Sequence, residues 1–431
     1  MTLDRLLLTG GTVVDGGGER RLDVRIADGV IVEIGVALDA DPALERVLDA
    51  QGCIVGPGFV DLHTHLREPG MTEAETIATG SAAAALGGYT AVVAMPNTDP
   101  TQDCVEVVEF VRNRGREVGL CDVRPSGSIT IGRAGVQLTP FSELAAVGVH
   151  LFTDDGSGVQ DAGLMRRALE YAGELGLLLA QHCEVAAMTH GAVMHEGDCC
   201  SHLGLPGWPA LAEELMVHRD IELCRLTGSP VHLLHLSTAR SVELVRAAKA
   251  DGLPVTAEAT PHHISLTDEA LRAFDARFKV NPPLRTMADV EAVRRGLLDG
   301  AIDAVATDHA PHPAHAKERP LDEAPPGMLG LETALGVTRK VLDTNWQKLF
   351  ELLSTGPARI AGLADAHGRP VEVGEPANLV VIDPDVDWEV DPGGLASLSN
   401  NTPYIGMGLR SRVRHTIFHG RAVVIDREVN R

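Results

Sequence analysis

No stretch of this chain approaches the ~20 consecutive apolar residues that a membrane helix needs. Its start, MTLDRLLLTGG, lacks a cationic segment followed by a long apolar one, so no secretory leader is read there. The seven cysteines, at 53, 104, 121, 183, 199, 200 and 224, are odd in number and scattered. They make no disulfide framework, and a reducing cytoplasm is the compartment expected. The adjacent Cys199 and Cys200 read as loop residues rather than as a metal site. Basic residues are also in deficit: 37 Lys and Arg stand against 60 Asp and Glu, a formal charge of −23. With no basic stripe to hold phosphates, nucleic acid and anionic membrane are excluded as partners. An anionic small-molecule substrate would approach against the global field, so its site needs cations of its own.

What is present is a two-part pattern. At 431 residues the chain exceeds what one hydrophobic core usually supports. Residues 5–50 and 369–425 carry short apolar runs separated by glycine turns, for example DVRIADGVIVEIG and VRHTIFHGRAVVID. Neither end alone has enough strands for a stable sandwich. The expectation is one small composite β-sandwich domain from 1–53 and 363–431, with a catalytic domain over 54–362 inserted between its halves.

The middle alternates β-rich runs with helical stretches. Strands are expected at 58–63, 89–97, 123–130, 148–155, 177–183, 230–237, 255–261 and 301–309. Helices are expected over Thr72–Leu86, Ala162–Glu174, Pro209–Leu226 and Ala239–Ala250 among others. Eight such repeats fit an α/β fold of the (β/α)₈, TIM-type barrel class better than a doubly wound sheet. Polar residues recur at the C-terminal ends of the strands, where barrel enzymes carry their chemistry.

The first strand ends in Asp61-Leu62-His63-Thr64-His65. Side chains two apart on a strand share a face, so both imidazoles can reach one ion. His182, His235 and Asp308 end the fifth, sixth and eighth strands. Neutral imidazoles and carboxylates suit zinc and leave a ligand position open for water. Each residue alone would more often be a satisfied core group; their recurrence at matching strand ends points to a metal centre.

The longer strings DLHTHLREPG (61–70), AMPNTDP (94–100), FTDDG (152–156), QHCE (181–184), HLST (235–238), NPPLR (281–285), ATDHAPH (306–312) and SNNTPYIGMGLRSRV (399–413) resemble the bacterial type I dihydroorotases of the amidohydrolase superfamily. That resemblance implies reversible, zinc-dependent hydrolysis of dihydroorotate to N-carbamoyl-L-aspartate in pyrimidine biosynthesis. It implies one or two zinc ions per subunit, held by His63, His65, Asp155, His182 and His235. Asp154 is the competing choice to Asp155. Many hydantoinases and allantoinases bridge their metals through a carbamylated lysine on the fourth strand. Here the five lysines stand at 249, 279, 317, 340 and 348, none of them on that strand.

The resemblance makes Asp308 the proton shuttle and gives substrate contacts to Arg67, Asn97, Asn281 and His312, and to the backbone at Pro326 and Gly327. Without it, Asn97 and Asn281 read as turn residues and Arg67 as a salt-bridge former. His262, His263 and His309 are expected behind the ligands rather than among them. Residues 311–327, rich in proline and charge, read as a binding loop. Alternatives kept open are another cyclic amidohydrolase, such as a hydantoinase or allantoinase, and an inactive scaffold for aspartate transcarbamoylase. Self-association and a complex with active aspartate transcarbamoylase are also left open.

Overall fold

The computed structural model describes residues 5–430. Residues 1–4 and 431, which belong to the expected outer domain and to the stretch read for a leader, lie outside the described residues. No helix among the described residues is long and apolar enough to cross a membrane.

The middle of the chain is α/β. Its parallel strands are β1 (Phe59–Thr64), β2 (Tyr89–Ala94), β3 (Asp122–Pro125), β4 (Leu151–Thr153), β5 (Leu178–Gln181), β6 (Val231–Leu233), β7 (Val255–Ala259) and β8 (Ala304–Val305). They form two arcs, β1-β2-β3 and β4-β5-β6-β7-β8, each in sequence order. The arcs meet at both edges. Gly127, just after β3, bridges Phe152 in parallel, and Thr64 bridges His309 in parallel. The Gly127 N–H donates to Leu151 O at 3.0 Å and the His65 N–H to His309 O at 2.9 Å.

Local chemistry starts the helices near the expected positions. Asp161 caps Ala162–Glu174 by accepting from the Leu164 N–H at 2.6 Å, and Thr238 caps Ala239–Ala250 through the Ser241 N–H at 3.1 Å. In Ala162–Glu174 the buried residues Leu164, Met165, Ala168, Leu169 and Ala172 form one apolar stripe, which joins Leu179 and Leu233 of β5 and β6 in a shared core. The first helix differs: it runs Ile77–Leu86, because Thr76 and Thr79 form a reciprocal cap. Residues 72–75 stay outside it, and Glu75 turns inward.

The strands are shorter than their apolar runs, and the difference falls mainly at their C-terminal ends. β2 stops at Ala94 rather than Asn97, β3 at Pro125 rather than Thr130, and β8 at Val305 rather than His309. The residues beyond the last ladder bond leave the sheet and become loops over one end of it. In β1, Val60 and Leu62 enter an apolar cluster with Ala91 and Ala304, while Asp61 and His63 alternate onto the other face and His65 follows just past the strand end.

Strands from both ends of the chain share one seven-stranded sheet, in the order 428–429, 421–425, 408–418, 379–389, 54–57, 12–15, 18–21. Ile54–Pro57 pairs with Leu379–Ile382 in antiparallel fashion and with Thr12–Val13 in parallel. The sheet therefore reaches Pro57, beyond the boundary at 53 read from the sequence. Glycine obscured this strand: a Cβ at Gly56 would meet the Phe350 ring at 2.2 Å. A four-stranded sheet of 30–35, 23–27, 5–9 and 46–49 packs on it, and Leu6, Leu8, Ile26, Val55, Leu379, Val381 and Ile417 share one core.

Candidate metal centre

Four of the six chemistry-bearing side chains at the strand ends, all of them histidines, converge on a fifth, Asp155. Its Oδ2 lies 3.3 Å from His63 Nε2 and 3.5 Å from His65 Nε2. Its Oδ1 lies 3.4 Å from His182 Nδ1 and 3.5 Å from His235 Nε2. The ligand-capable atoms of His63, His65 and Asp155 lie within 4.8 Å of one another, as do those of Asp155, His182 and His235. One carboxylate thus faces two histidine pairs, one with each oxygen. Asp308 completes the group, its Oδ1 3.1 Å from His65 Nε2 and 3.5 Å from His63 Nε2.

Asp154 points elsewhere. It accepts from the Thr130 N–H at 3.0 Å and from the Thr130 hydroxyl, tying the loop after β3 to the end of β4.

The outer nitrogens of the imidazoles are held by the fold. Glu258 on β7 meets His63 Nδ1 at 2.9 Å, and its other oxygen meets His232 Nε2 at 3.1 Å. Asn97 Oδ1 accepts from His65 Nδ1 at 2.8 Å, which leaves the His65 Nε2 lone pair facing inward. Glu184 Oε2 meets His182 Nε2 at 2.8 Å, turning His182 Nδ1 toward Asp155. Metal-binding histidines characteristically carry such partners.

The electrostatics call for a cation. Burial alone would raise the pKa of Asp155, but the charge of His63 and bonds from His182, His235 and His63 hold it well below the carboxylate range. Asp308 is also held low, burial being outweighed by His63 and His65. Burial opposes charge on His182, yet Asp155 and Glu184 raise it to about 9, and Asp155 and Asp308 raise His63 well above its usual value. His63 Nε2 is buried without a hydrogen-bond partner. His182 Nδ1 and His235 Nε2 face each other at 3.0 Å, close enough to share one proton or to bind one cation together. A histidine and carboxylate set of this kind fits a divalent ion of the zinc type.

A cavity of about 180 Å³ opens over the centre. Every residue given a ligand, proton-shuttle or substrate role from the sequence lines it except His63, which lies fully buried, while Asp154, His262, His263 and His309 stand outside it. Arg67 is buried at its mouth, donates through Nε to Pro311 O at 3.2 Å and has its pKa lowered to about 10, chiefly by burial. His312 Nε2 reaches Pro326 O at 2.9 Å and lies 3.5 Å from Arg67 Nη2. Burial first, then the charges of Arg67 and Lys317, lower its pKa to about 3.

Asn281 donates to Glu184 at 3.2 Å, while its Oδ1 is buried and unpartnered. The backbone expected to touch substrate at 326 and 327 is engaged within the protein. Pro326 O accepts from His312, and the Gly327 N–H donates to Lys279 O at 2.9 Å. Gly327 has φ +134, and a Cβ there would meet His312 Nε2 at 2.9 Å, so only glycine fits. Arg67, His235 and Asp308 have φ of 60°, 34° and 46°, a left-handed conformation that non-glycine residues adopt mainly where surroundings impose it.

Sequence reasoning passed over Glu258, Glu184 and Asp61. Asp61 accepts from the Thr307 N–H at 2.8 Å and the Thr307 hydroxyl at 2.5 Å, joining β1 to the segment after β8. The signal for Glu258 was a carboxylate inside VTAEATP, where a strand buried on both faces should carry none without a partner.

This centre can be set beside known proteins. A family model described as dihydro-orotase-like matches residues 52–241. Over 421 residues the chain is 51% identical to the dihydroorotase of Mycobacterium leprae (strain TN), covering 96% of this chain and 97% of the relative. It is 50% identical over 431 residues to that of Streptomyces coelicolor, covering 98% and 99%. The chain belongs to the dihydroorotase family.

Among solved structures, L-hydantoinase from Arthrobacter aurescens superposes with a TM-score of 0.87 at 23% identity, covering 99% of this chain and 97% of the other. Dihydropyrimidinase from Brevibacillus agri gives 0.85 at 24%, covering 99% and 96%. These share the fold. The dihydroorotase relatives cover both the site and the outer sheets. The fourth-strand lysine stays absent in this family member: among the described residues, Asp155 occupies the position between the histidine pairs.

Proposed function

We propose that the protein is a metal-dependent dihydroorotase that interconverts dihydroorotate and N-carbamoyl-L-aspartate in pyrimidine biosynthesis. The observation that carries this is Asp155 between two histidine pairs, beside Asp308 and beneath Arg67, in a chain about 50% identical to dihydroorotases over nearly its full length.

His63, His65 and Asp155 would hold one zinc ion, and Asp155, His182 and His235 a second. When bound, such ions polarise a carbonyl and make hydroxide available near neutral pH. The protein's own groups do the rest. Arg67, whose Nε is taken by Pro311 O, offers its terminal nitrogens to the substrate carboxylate as a fork. Asn281 Oδ1, buried and unpartnered, accepts from a ring N–H. Asn97 is left with only its Nδ2 for substrate, because His65 uses its oxygen.

Asp308 takes the proton from the water that attacks the ring amide carbonyl and delivers it to the departing ring nitrogen. In reverse it returns that proton as the ring closes. His312, kept neutral, donates through Nε2 to the 326 carbonyl and packs beside Arg67. Pro326 and Gly327 shape the wall rather than donate to substrate.

We read the two arcs as one closed (β/α)₈ barrel, since parallel bridges join them at both edges. The composite β domain then comprises the segments up to Pro57 and from about 363 onward.

The test is turnover of dihydroorotate, hydantoin and allantoin by purified protein of measured metal content. Dihydroorotate turnover exceeding the others by at least tenfold, proportional to bound zinc, is the expected result. Preferred turnover of hydantoin or allantoin would overturn the assignment.

A further inference from the structure

Two of the chain's five lysines are buried together, and neither has a carboxylate partner among the described residues. Lys317 lies within the 311–327 loop, and its Nζ donates to Pro325 O at 2.9 Å, Gly327 O at 2.9 Å and Lys279 O at 3.4 Å. Lys279 reaches into the same loop from the other side, donating to Leu321 O at 2.7 Å and Asp322 O at 3.2 Å. Burying an ammonium without a counter-ion is costly, so such groups persist where the acceptors they gather matter. Burial and the neighbouring Lys279 charge lower the Lys317 pKa to about 7.

A second donor converges on the same carbonyl from the far end of the sequence. Asn401, in the 399–413 string, donates through Nδ2 to Gly327 O at 3.2 Å and to Ala310 O at 3.0 Å. Its Oδ1 accepts from the His312 N–H at 3.0 Å. One buried amide therefore ties together the chain just after Asp308, the backbone of His312 and the Gly327 turn. Lys317 fixes Pro325 and Gly327 from the opposite side. These are the groups that form one wall of the cavity over the metal centre.

We propose that Lys317 and Asn401 are positioning residues for substrate binding, two donors that clamp the Gly327 carbonyl and set the wall formed by Pro325, Pro326 and Gly327. Neither touches the reacting atoms. They hold the loop in its observed course, so that His312 donates to Pro326 O beside Arg67. This rests on the reading of that cavity as the dihydroorotate site.

The experiment uses Lys317→Met, which keeps the unbranched apolar stem of the side chain without its terminal donor, and Asn401→Asp, which puts an acceptor where Gly327 O and Ala310 O need a donor. Amide hydrogen exchange over residues 318–328, KM, kcat, metal content and Tm are measured for both. Exchange in that segment at least tenfold faster, residues 59–64 unchanged, KM raised tenfold or more, and kcat within about threefold is the expected outcome. Lys317→Arg should recover part of the lost KM if a donor is what is needed.

Unchanged exchange in a folded variant would overturn the clamp. Faster exchange with unchanged KM would reduce both residues to a structural role and overturn their positioning one. If Lys317→Met does not fold, Asn401→Asp alone decides by the same readings. Should the enzyme prefer another cyclic amide, the exchange result still tests the clamp, and KM is read on that substrate, so the two failures are separable.

Discussion

Asp308 Oδ1 stands 3.1 Å from His65 Nε2, and the opposite nitrogen of that ring is fixed by Asn97 at 2.8 Å. The carboxylate therefore faces an imidazole lone pair across a gap sized for a cation or a proton. A group there could support a bound metal and still reach a substrate in the cavity that both residues line.

Asp308→Asn should keep the metal and lose turnover. Proton transfer by a positioned group is worth about 10²–10⁴-fold, so kcat is expected to fall by at least that lower bound. Metal content by atomic emission should stay within a factor of two of the parent; residual activity above a tenth would assign the proton to another group.

The two neighbouring aspartates should separate cleanly. Asp155→Ala removes the carboxylate between the histidine pairs and is expected to abolish metal retention through dialysis. Asp154→Ala removes only the tie to Thr130, so metal should be retained while the loop after β3 loses stability, read as a lower Tm. Retention by the Asp155 variant would move the ligand role elsewhere.

Glu258→Gln tests the support behind His63. The amide can still meet one imidazole nitrogen, but it no longer holds His63 and His232 with two charged oxygens. Loss of such a partner typically weakens metal binding about 10–100-fold. Titration with a competing chelator measures it.

Arg67→Met should raise KM for dihydroorotate by about tenfold or more, with metal content unchanged, because it removes a charge-assisted contact to the substrate carboxylate. Loss of metal instead would recast Arg67 as part of the centre's framework.

Glu332 gives a pH dependence remote from the chemistry. It accepts the Ala396 N–H at 2.9 Å, and burial raises its pKa to about 7 from an ordinary value near 4.5. The folded state then holds the proton more tightly than the unfolded one. Its contribution is fully present below pH 4.5 and is lost as pH rises through 7. Glu332→Gln should therefore raise Tm at pH 8.5 and leave it nearly unchanged at pH 5; an unchanged Tm at the higher pH would refute the shift.

Much of the centre was legible in the linear chain because strands impose simple rules. Alternation puts His63 and His65 on one face, and polar residues at the end of an apolar run have few other places to go. The choice of Asp155 over Asp154 came from motif resemblance. Their one-residue offset sends them to different faces, and only the turn after β4 decides which face meets the histidines. The strand ends were misjudged because apolar patterning continues past the last ladder bond, where no sequence signal marks the exit.

The residue order alone determined the alternation of strand and helix and the set of imidazoles and carboxylates at the strand ends, both readable from local pattern. Only the folded chain decided what stands behind them. Glu258 behind His63, Glu184 behind His182, Lys317 and Asn401 around Gly327, and Ile54–Pro57 inside the outer sheet are pairings between distant segments. Hydrogen bonds and packing of that kind depend on where the backbone brings side chains together, and no local pattern encodes it.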